Sequence, residues 1–123
     1  GIVIPVVNCP TDNVMVLSDV GLASSATDGG LIVINNFSSV LSATANMGTI
    51  AMSNQVRIYG PNSLLGNPVD VAYDHVTNDI YVAERLNGGG QVLKFAFPTT
   101  NGDFAPQTAR NEAGVTAVYL LRR

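Results

Sequence analysis

Tryptophan is missing from these 123 residues, and lysine, histidine and cysteine each occur once, as Lys94, His75 and Cys9. Each scarcity closes off a chemistry. With a single thiol no intrachain disulfide forms, and neither a zinc cluster nor a Cys-x-x-Cys redox pair can be assembled; a buried or tolerated thiol is the expected state of Cys9. Six basic residues stand against nine acidic ones, and the one basic cluster is Arg122 with Arg123. The clustered charge that displaces counterions from phosphates is therefore lacking, and nucleic acid is not an expected partner. The longest apolar runs, Ile2 to Val7 and Leu31 to Ile34 among them, are too short to span a bilayer as helices.

What is present suits a β-protein. Hydrophobic residues make up 46% of the chain and charged residues 12%, against roughly a quarter charged in an average globular domain. The first figure allows a sizeable core, and the second, with abundant Gly, Ser, Thr and Asn, points to uncharged polar turns. That profile fits a secreted, extracellular or periplasmic protein, and Gly1 in place of Met reads as a processed or engineered start.

An internal repeat organises the chain. Thr11-Asp12-Asn13-Val14-Met15-Val16-Leu17-Ser18-Asp19-Val20 lines up with Thr77-Asn78-Asp79-Ile80-Tyr81-Val82-Ala83-Glu84-Arg85-Leu86. Further on, Gly30-Leu31-Ile32-Val33-Ile34-Asn35-Asn36-Phe37 matches Gly90-Gln91-Val92-Leu93-Lys94-Phe95-Ala96-Phe97. Ile2 to Val7 precedes the first copy as Pro68 to Tyr73 precedes the second. Gln55 to Tyr59 closes the first, and Val115 to Leu121 is expected to close the second.

Each copy reads as four short strands, rich in β-branched and aromatic residues and bounded by turn residues. Val69, Val71 and Tyr73 alternate with Asp70, Ala72 and Asp74, the period of a strand with one buried face. Leu31 to Ile34 is apolar throughout, as expected of a central strand packed on both sides. Asp28-Gly29-Gly30, Tyr59-Gly60-Pro61-Asn62, Gly66-Asn67-Pro68, Asn87 to Gly90 and Asn101-Gly102-Asp103 mark turns. Ser38 to Met47 is the best helix candidate, since Val40, Leu41 and Ala45 share a helical face, but its many Ser and Thr favour an irregular connection.

The expected architecture is all-β, with two four-stranded antiparallel blades of the β-propeller kind, over residues 1–60 and 61–123. A four-stranded meander cannot hide both faces, so like units must stack on it. An eight-stranded β-sandwich is the alternative, burying the same alternating faces without a partner.

Gly66-Asn67-Pro68-Val69-Asp70-Val71-Ala72-Tyr73-Asp74, then Thr77 to Glu84, then Gly90 to Phe95, resembles a blade of the NHL-type six-bladed propeller repeats. The resemblance is close over residues 66 to 97 and weaker over 2 to 37, where Ile2-Val3-Ile4-Pro5-Val6-Val7 replaces the Pro-led Val-Ala opening. It implies that Pro68 opens an innermost strand, and that two units are completed by neighbouring blades of a longer chain or by further copies. A head-to-tail contact closes into a ring or runs into a filament. Three chains of two blades would make six, an arrangement resembling some small fungal and bacterial lectins.

Asp70, Asp74, His75 and Asp79 form the densest polar set. Asp70 and Asp74 share a strand face with Ala72, so both could point at one calcium ion, which takes carboxylate and carbonyl oxygens. The unit also loosely resembles lactonase and gluconolactonase-like propellers, in which carboxylates and Asn near the channel hold a divalent metal; Asp70 is the best metal candidate on that footing. The competing reading makes Asp74 and Asp79 the brackets of a hairpin turn. His75 has no partner set of a general base in the sequence around it and reads as a solvated turn residue. Asn67 and Glu84 complete the candidate ligand-binding positions, Glu84 also reading as a brace for the turn that follows. Asn87-Gly88-Gly89-Gly90 lacks the ending of a phosphate loop and reads as a flexible turn. Asn36-Phe37-Ser38 matches the glycosylation acceptor pattern. Without Trp, a carbohydrate would stack on Tyr59, Tyr73, Tyr81 or Tyr119, whose strand positions look like core.

No catalytic constellation emerges. The expected function is a non-catalytic, self-associating structural or interaction module that presents loops to a protein or carbohydrate ligand. The rivals are part of a lactonase- or esterase-like hydrolase with a divalent metal, and a sugar-binding ring.

Overall fold

The computed structural model describes residues 2–3 as backbone, and residues 14–22 and 24–121. The remainder of the strand expected over Ile2 to Val7, Cys9, the Thr11-Asp12-Asn13 turn and the Arg122–Arg123 pair lie outside the described residues. Among the described residues the fold is all-β apart from one short α-helix and three single 3-10 turns. In order come β1 (Ile2–Val3), β2 (Val14–Asp19), β3 (Gly30–Asn35), α1 (Phe37–Ala43), β4 (Val56–Tyr59), β5 (Pro68–Asp74), β6 (Asp79–Glu84), β7 (Gln91–Ala96) and β8 (Thr108–Asn111). β1 to β4 form one antiparallel meander, hereafter sheet 1, and β5 to β8 a second, sheet 2, each with its strands in chain order.

Register assigns the faces. Val16 pairs with Val33 and Leu31 with Ile58 in sheet 1; Val71 pairs with Val82, Val82 with Leu93 and Ile80 with Phe95 in sheet 2. These nine residues and Leu65, all buried, make one continuous core, so these are the faces that meet. The opposite face of sheet 1 carries Met15, Leu17, Ile32 and Ile34, and that of sheet 2 carries Ala72, Tyr81, Val92, Lys94 and Arg110. β5, the first strand of sheet 2, packs over β1 and β2 of sheet 1. The close approach leaves no room at Gly29, where a Cβ would lie 2.8 Å from the Gly66 carbonyl oxygen.

Two sequence expectations need correcting. The closing strand of the second unit is Thr108–Asn111, not Val115 to Leu121. All four β8 residues are exposed, so an edge strand in solvent has no need of apolar residues and gives no β-pattern. Val115 to Leu121 is apolar for another reason: Val118, Tyr119 and Leu120 lie on the outer face of sheet 2 over Ala72, Tyr81 and Val92. The second correction is α1, in a stretch read as irregular. Asn36 turns left-handed (φ 50°) to start it, and the Thr44 hydroxyl donates to the Val40 carbonyl at 2.7 Å where it ends. Two turns are formed, short of Ala45, and none of their residues is buried.

Asn101-Gly102-Asp103, expected as a simple turn, closes the free edge of β4. The Tyr59 N–H donates to the Gly102 carbonyl (3.1 Å), the Gly102 N–H to the Arg57 carbonyl (3.0 Å) and the Arg57 N–H to Asn101 Oδ1 (2.8 Å). Sheet 2 thus supplies, from its β7–β8 connection, the backbone partners that the edge of sheet 1 lacks.

Candidate functional site

At the end of β6 the chain leaves the sheet with its last residue, Glu84, fully buried. An isolated buried carboxylate would be costly, but this one accepts backbone hydrogen bonds from two directions. Oε2 accepts from the Gly66 N–H (2.9 Å), and both oxygens accept from the Asn67 N–H (2.8 and 3.0 Å). Oε1 also accepts from the N–H groups of Leu86 and Asn87, each at 2.9 Å. Glu84 therefore ties the β4–β5 connection to the β6–β7 turn.

Asn67 lies beside it, buried, with its side-chain amide donating to the Val20 carbonyl of sheet 1 at 3.4 Å. The Asn87 amide donates across to the Ala26 carbonyl at 2.8 Å. The β2–β3 turn of sheet 1, the β4–β5 connection between the sheets and the β6–β7 turn of sheet 2 are knitted together at this end.

The other candidates sit elsewhere. Asp70 Oδ2 accepts from the Val118 N–H at 3.1 Å, holding the apolar terminal segment on the outer face of sheet 2. Asp74 Oδ1 accepts from the N–H groups of Val76 (2.9 Å) and Thr77 (3.3 Å), inside the tight β5–β6 turn where Asn78 is left-handed. His75 is exposed on that turn. Asp79, at its far side, is paired with Lys94 at 3.6 Å.

Strand geometry decides which of these can act together. Pro68 pairs with Glu84 at one end of β5, and Asp74 pairs with Asp79 at the other. At about 3.3 Å per residue the two ends are about 20 Å apart, so Asn67 and Glu84 share no ligand with Asp74 and His75. Asp70 and Asp74 do lie on one face, as their spacing implies, but about 13 Å apart along it, too far to bind one calcium ion. Among the described residues no three His, Cys, Asp or Glu side chains are placed to hold a metal.

Sequence reasoning passed over a second polar basin. Asp19, Asp28, Arg57, Tyr59 and Asn101 line it, together with Gly29, Gly30 and Met52. Arg57 reaches Asp19 at 3.4 Å, Asp28 accepts from the Leu22 N–H at 2.9 Å, and Tyr59 is 55% exposed rather than core. Its parts come from three strands, from the β2–β3 and β3–β4 connections and from the β7–β8 connection, so no short motif announces it.

The described residues thus offer carboxylates committed to backbone amides, and two apolar margins. The first is the outer face of sheet 2 under Val118 to Leu120. The second comprises the exposed side chains of the β3–β4 connection, Leu41, Met47 and Met52. Comparison of the chain with family models, with curated proteins and with solved structures finds no match to any of the three.

Proposed function

We propose that this chain is a non-catalytic β-module of propeller-like blades that self-associates through its sheet faces and presents its turns to a ligand. The observation that carries the reading is the sense in which the two sheets stack. The face of sheet 1 turned toward the segment that follows it bears Val16, Leu31 and Val33. The face of sheet 2 turned toward its own following segment bears Tyr81 and Val92.

Putting Asp19 on Glu84 and Gly30 on Gln91, the last pairs of two ladders of equal length, places Val16 on Tyr81 and Leu31 on Val92. The sheets then stack head to tail, like blades, rather than through equivalent faces. The repeat alignment drawn from sequence preserves the same ladders but is one residue off in each strand, and such a slip exchanges the faces. A head-to-tail contact leaves an unlike face at each end, and unlike faces can join further copies.

The NHL-like runs Val71-Ala72-Tyr73-Asp74 and Ile80-Tyr81-Val82-Ala83-Glu84 fall on β5 and β6, which supports the blade reading. The scarcity of charge and the uncharged turns support a setting outside the cytoplasm. Light scattering coupled to size exclusion tests the proposal, which requires a mass above that of one 12.9 kDa chain.

A further inference from the structure

We propose that Val115 to Leu121 is a displaceable strap lying in the seat of a following sheet's first strand, and that the sheet which takes its place is sheet 1 of a second copy of this chain. The inference rests on the self-association proposed above, and adds which surfaces meet and what holds them apart.

The seat is defined by the way sheet 2 covers sheet 1. Before β5 the chain passes tightly over the β2–β3 turn, where the Gly29 N–H donates to the Leu65 carbonyl at 2.9 Å and a Cβ on Gly29 would strike Gly66 and Pro68. Before the strap the chain leaves the β7–β8 ladder one pair beyond Gln91 and Asn111 and crosses the β6–β7 turn. The Glu112 N–H donates to the Gly90 carbonyl at 2.9 Å, and a Cβ on Gly90 would strike Glu112 and Ala113. From the first crossing β5 runs over the Val16 and Leu31 face, and from the second the strap runs over the corresponding Tyr81 and Val92 face.

The strap holds its seat loosely. It forms no strand; its N–H groups bond to Asp70 through Val118 and to the Glu112 carbonyl through Val115. Tyr119 remains 85% exposed and Leu121 60%. A segment with so little buried surface and so few ladder bonds opens at low cost.

The occupant follows from the outer face of sheet 1. In the head-to-tail correspondence Met15, Leu17, Ile32 and Ile34 fall on Ile80, Val82, Leu93 and Phe95, the side chains with which sheet 2 grips sheet 1. On the side away from the shared core, sheet 1 therefore carries the counterparts of the apolar set that makes the internal contact, half-buried at Met15, Leu17 and Ile32 and buried at Ile34. The β8 edge agrees: the edge of β4 is closed by the β7–β8 connection of the following sheet, and the piece corresponding to that connection in sheet 1 is the β3–β4 connection, with Leu41, Met47 and Met52 exposed. Docking a second copy's sheet 1 lays that connection along β8. Lys94 and Arg110 stand on the receiving face where sheet 1 has Val33 and Ile58, so the contact between copies is more polar than the internal one and reversible.

A strap that must lift before docking lowers the apparent affinity by the fraction of time the seat is free. The test measures the concentration dependence of mass by light scattering for the full chain and three variants. Val118→Asp is expected to loosen the strap and lower the association midpoint about tenfold, whereas Thr116→Asp, at an exposed position, leaves it in place. Met47→Glu is expected to raise the midpoint by setting a charge against β8. If the wild-type chain assembles but Val118→Asp fails to tighten it, or Thr116→Asp matches its effect, the strap inference is overturned while self-association stands. If Met47→Glu has no effect, the docking surface is wrong. A single-chain mass for wild type and Val118→Asp alike defeats both.

Discussion

Glu84 holds Asn67 by its backbone: both carboxylate oxygens lie within 3.0 Å of the Asn67 nitrogen, at the point where the chain enters β5. The same carboxylate also secures Gly66, Leu86 and Asn87, so one buried charge is satisfied by four amides and fixes two connections at once. Glu84→Gln keeps the volume but turns an amide donor toward other donors. It is expected to cost about 3 kcal/mol of stability by leaving buried N–H groups unmet, measured by urea unfolding with an unchanged slope.

Leu93 is fully buried between the two sheets. Leu93→Ala should lower stability by about 3 kcal/mol, through lost transfer energy and the cavity left behind. Because the core is shared, unfolding followed at Tyr59 of sheet 1 and at Tyr81 of sheet 2 is expected to shift together. Separate transitions would mean that the sheets fold as independent bodies.

The β4–β5 connection is braced from a distance. Asp103 accepts from the N–H groups of Ser63 (2.9 Å) and Asn62 (3.2 Å), and Gly60, at φ 116°, gives its carboxyl room, since a Cβ there would strike it. Asp103→Ala is expected to cost about 1 kcal/mol through its lost hydrogen bonds. Gly60→Ala should cost more, because it meets both an unfavourable φ and the carboxylate. Thermal melts of the two variants and their double mutant check the order, and the double mutant should fall short of the sum.

Asp70 anchors the terminal segment through the Val118 amide. Asp70→Ala should speed hydrogen exchange at Val118 by about fivefold, the loss of one modest hydrogen bond, with exchange at core amides such as Val82 unchanged. Since Asp70 and Asp74 are too far apart to share an ion, calcium is expected to leave the melting temperature of wild type and of Asp70→Ala equally unmoved.

Much of the fold was legible because its strands announce themselves. Leu31 to Ile34 reads as a central strand and is one; the alternation read in β5 puts Val71 in the core, but Ala72 and Asp74 on its other face are buried as well, so that strand is covered on both sides. β8 escaped because Thr108-Ala109-Arg110-Asn111 is an exposed edge with no face to hide, and the apolar segment after it drew the assignment instead. The one-residue displacement of the repeat has a similar origin. Matching Gly30 to Gly90 satisfies the eye and the ladder, while only three-dimensional packing tells which face Val16 occupies. Asn67 and Glu84 could be picked out as polar residues at a strand boundary, but their mutual bond could not, because it depends on how the β4–β5 connection folds back over β6. Tyr59 looked like core because its strand does; its exposure follows from its place at the end of that edge strand.

The central claim is that copies of this chain associate through unlike sheet faces. Light scattering across a rising concentration series tests it most directly. The account requires the mean mass to climb with concentration above 12.9 kDa, toward that of a ring or filament. A mass fixed at one chain at every concentration would contradict it.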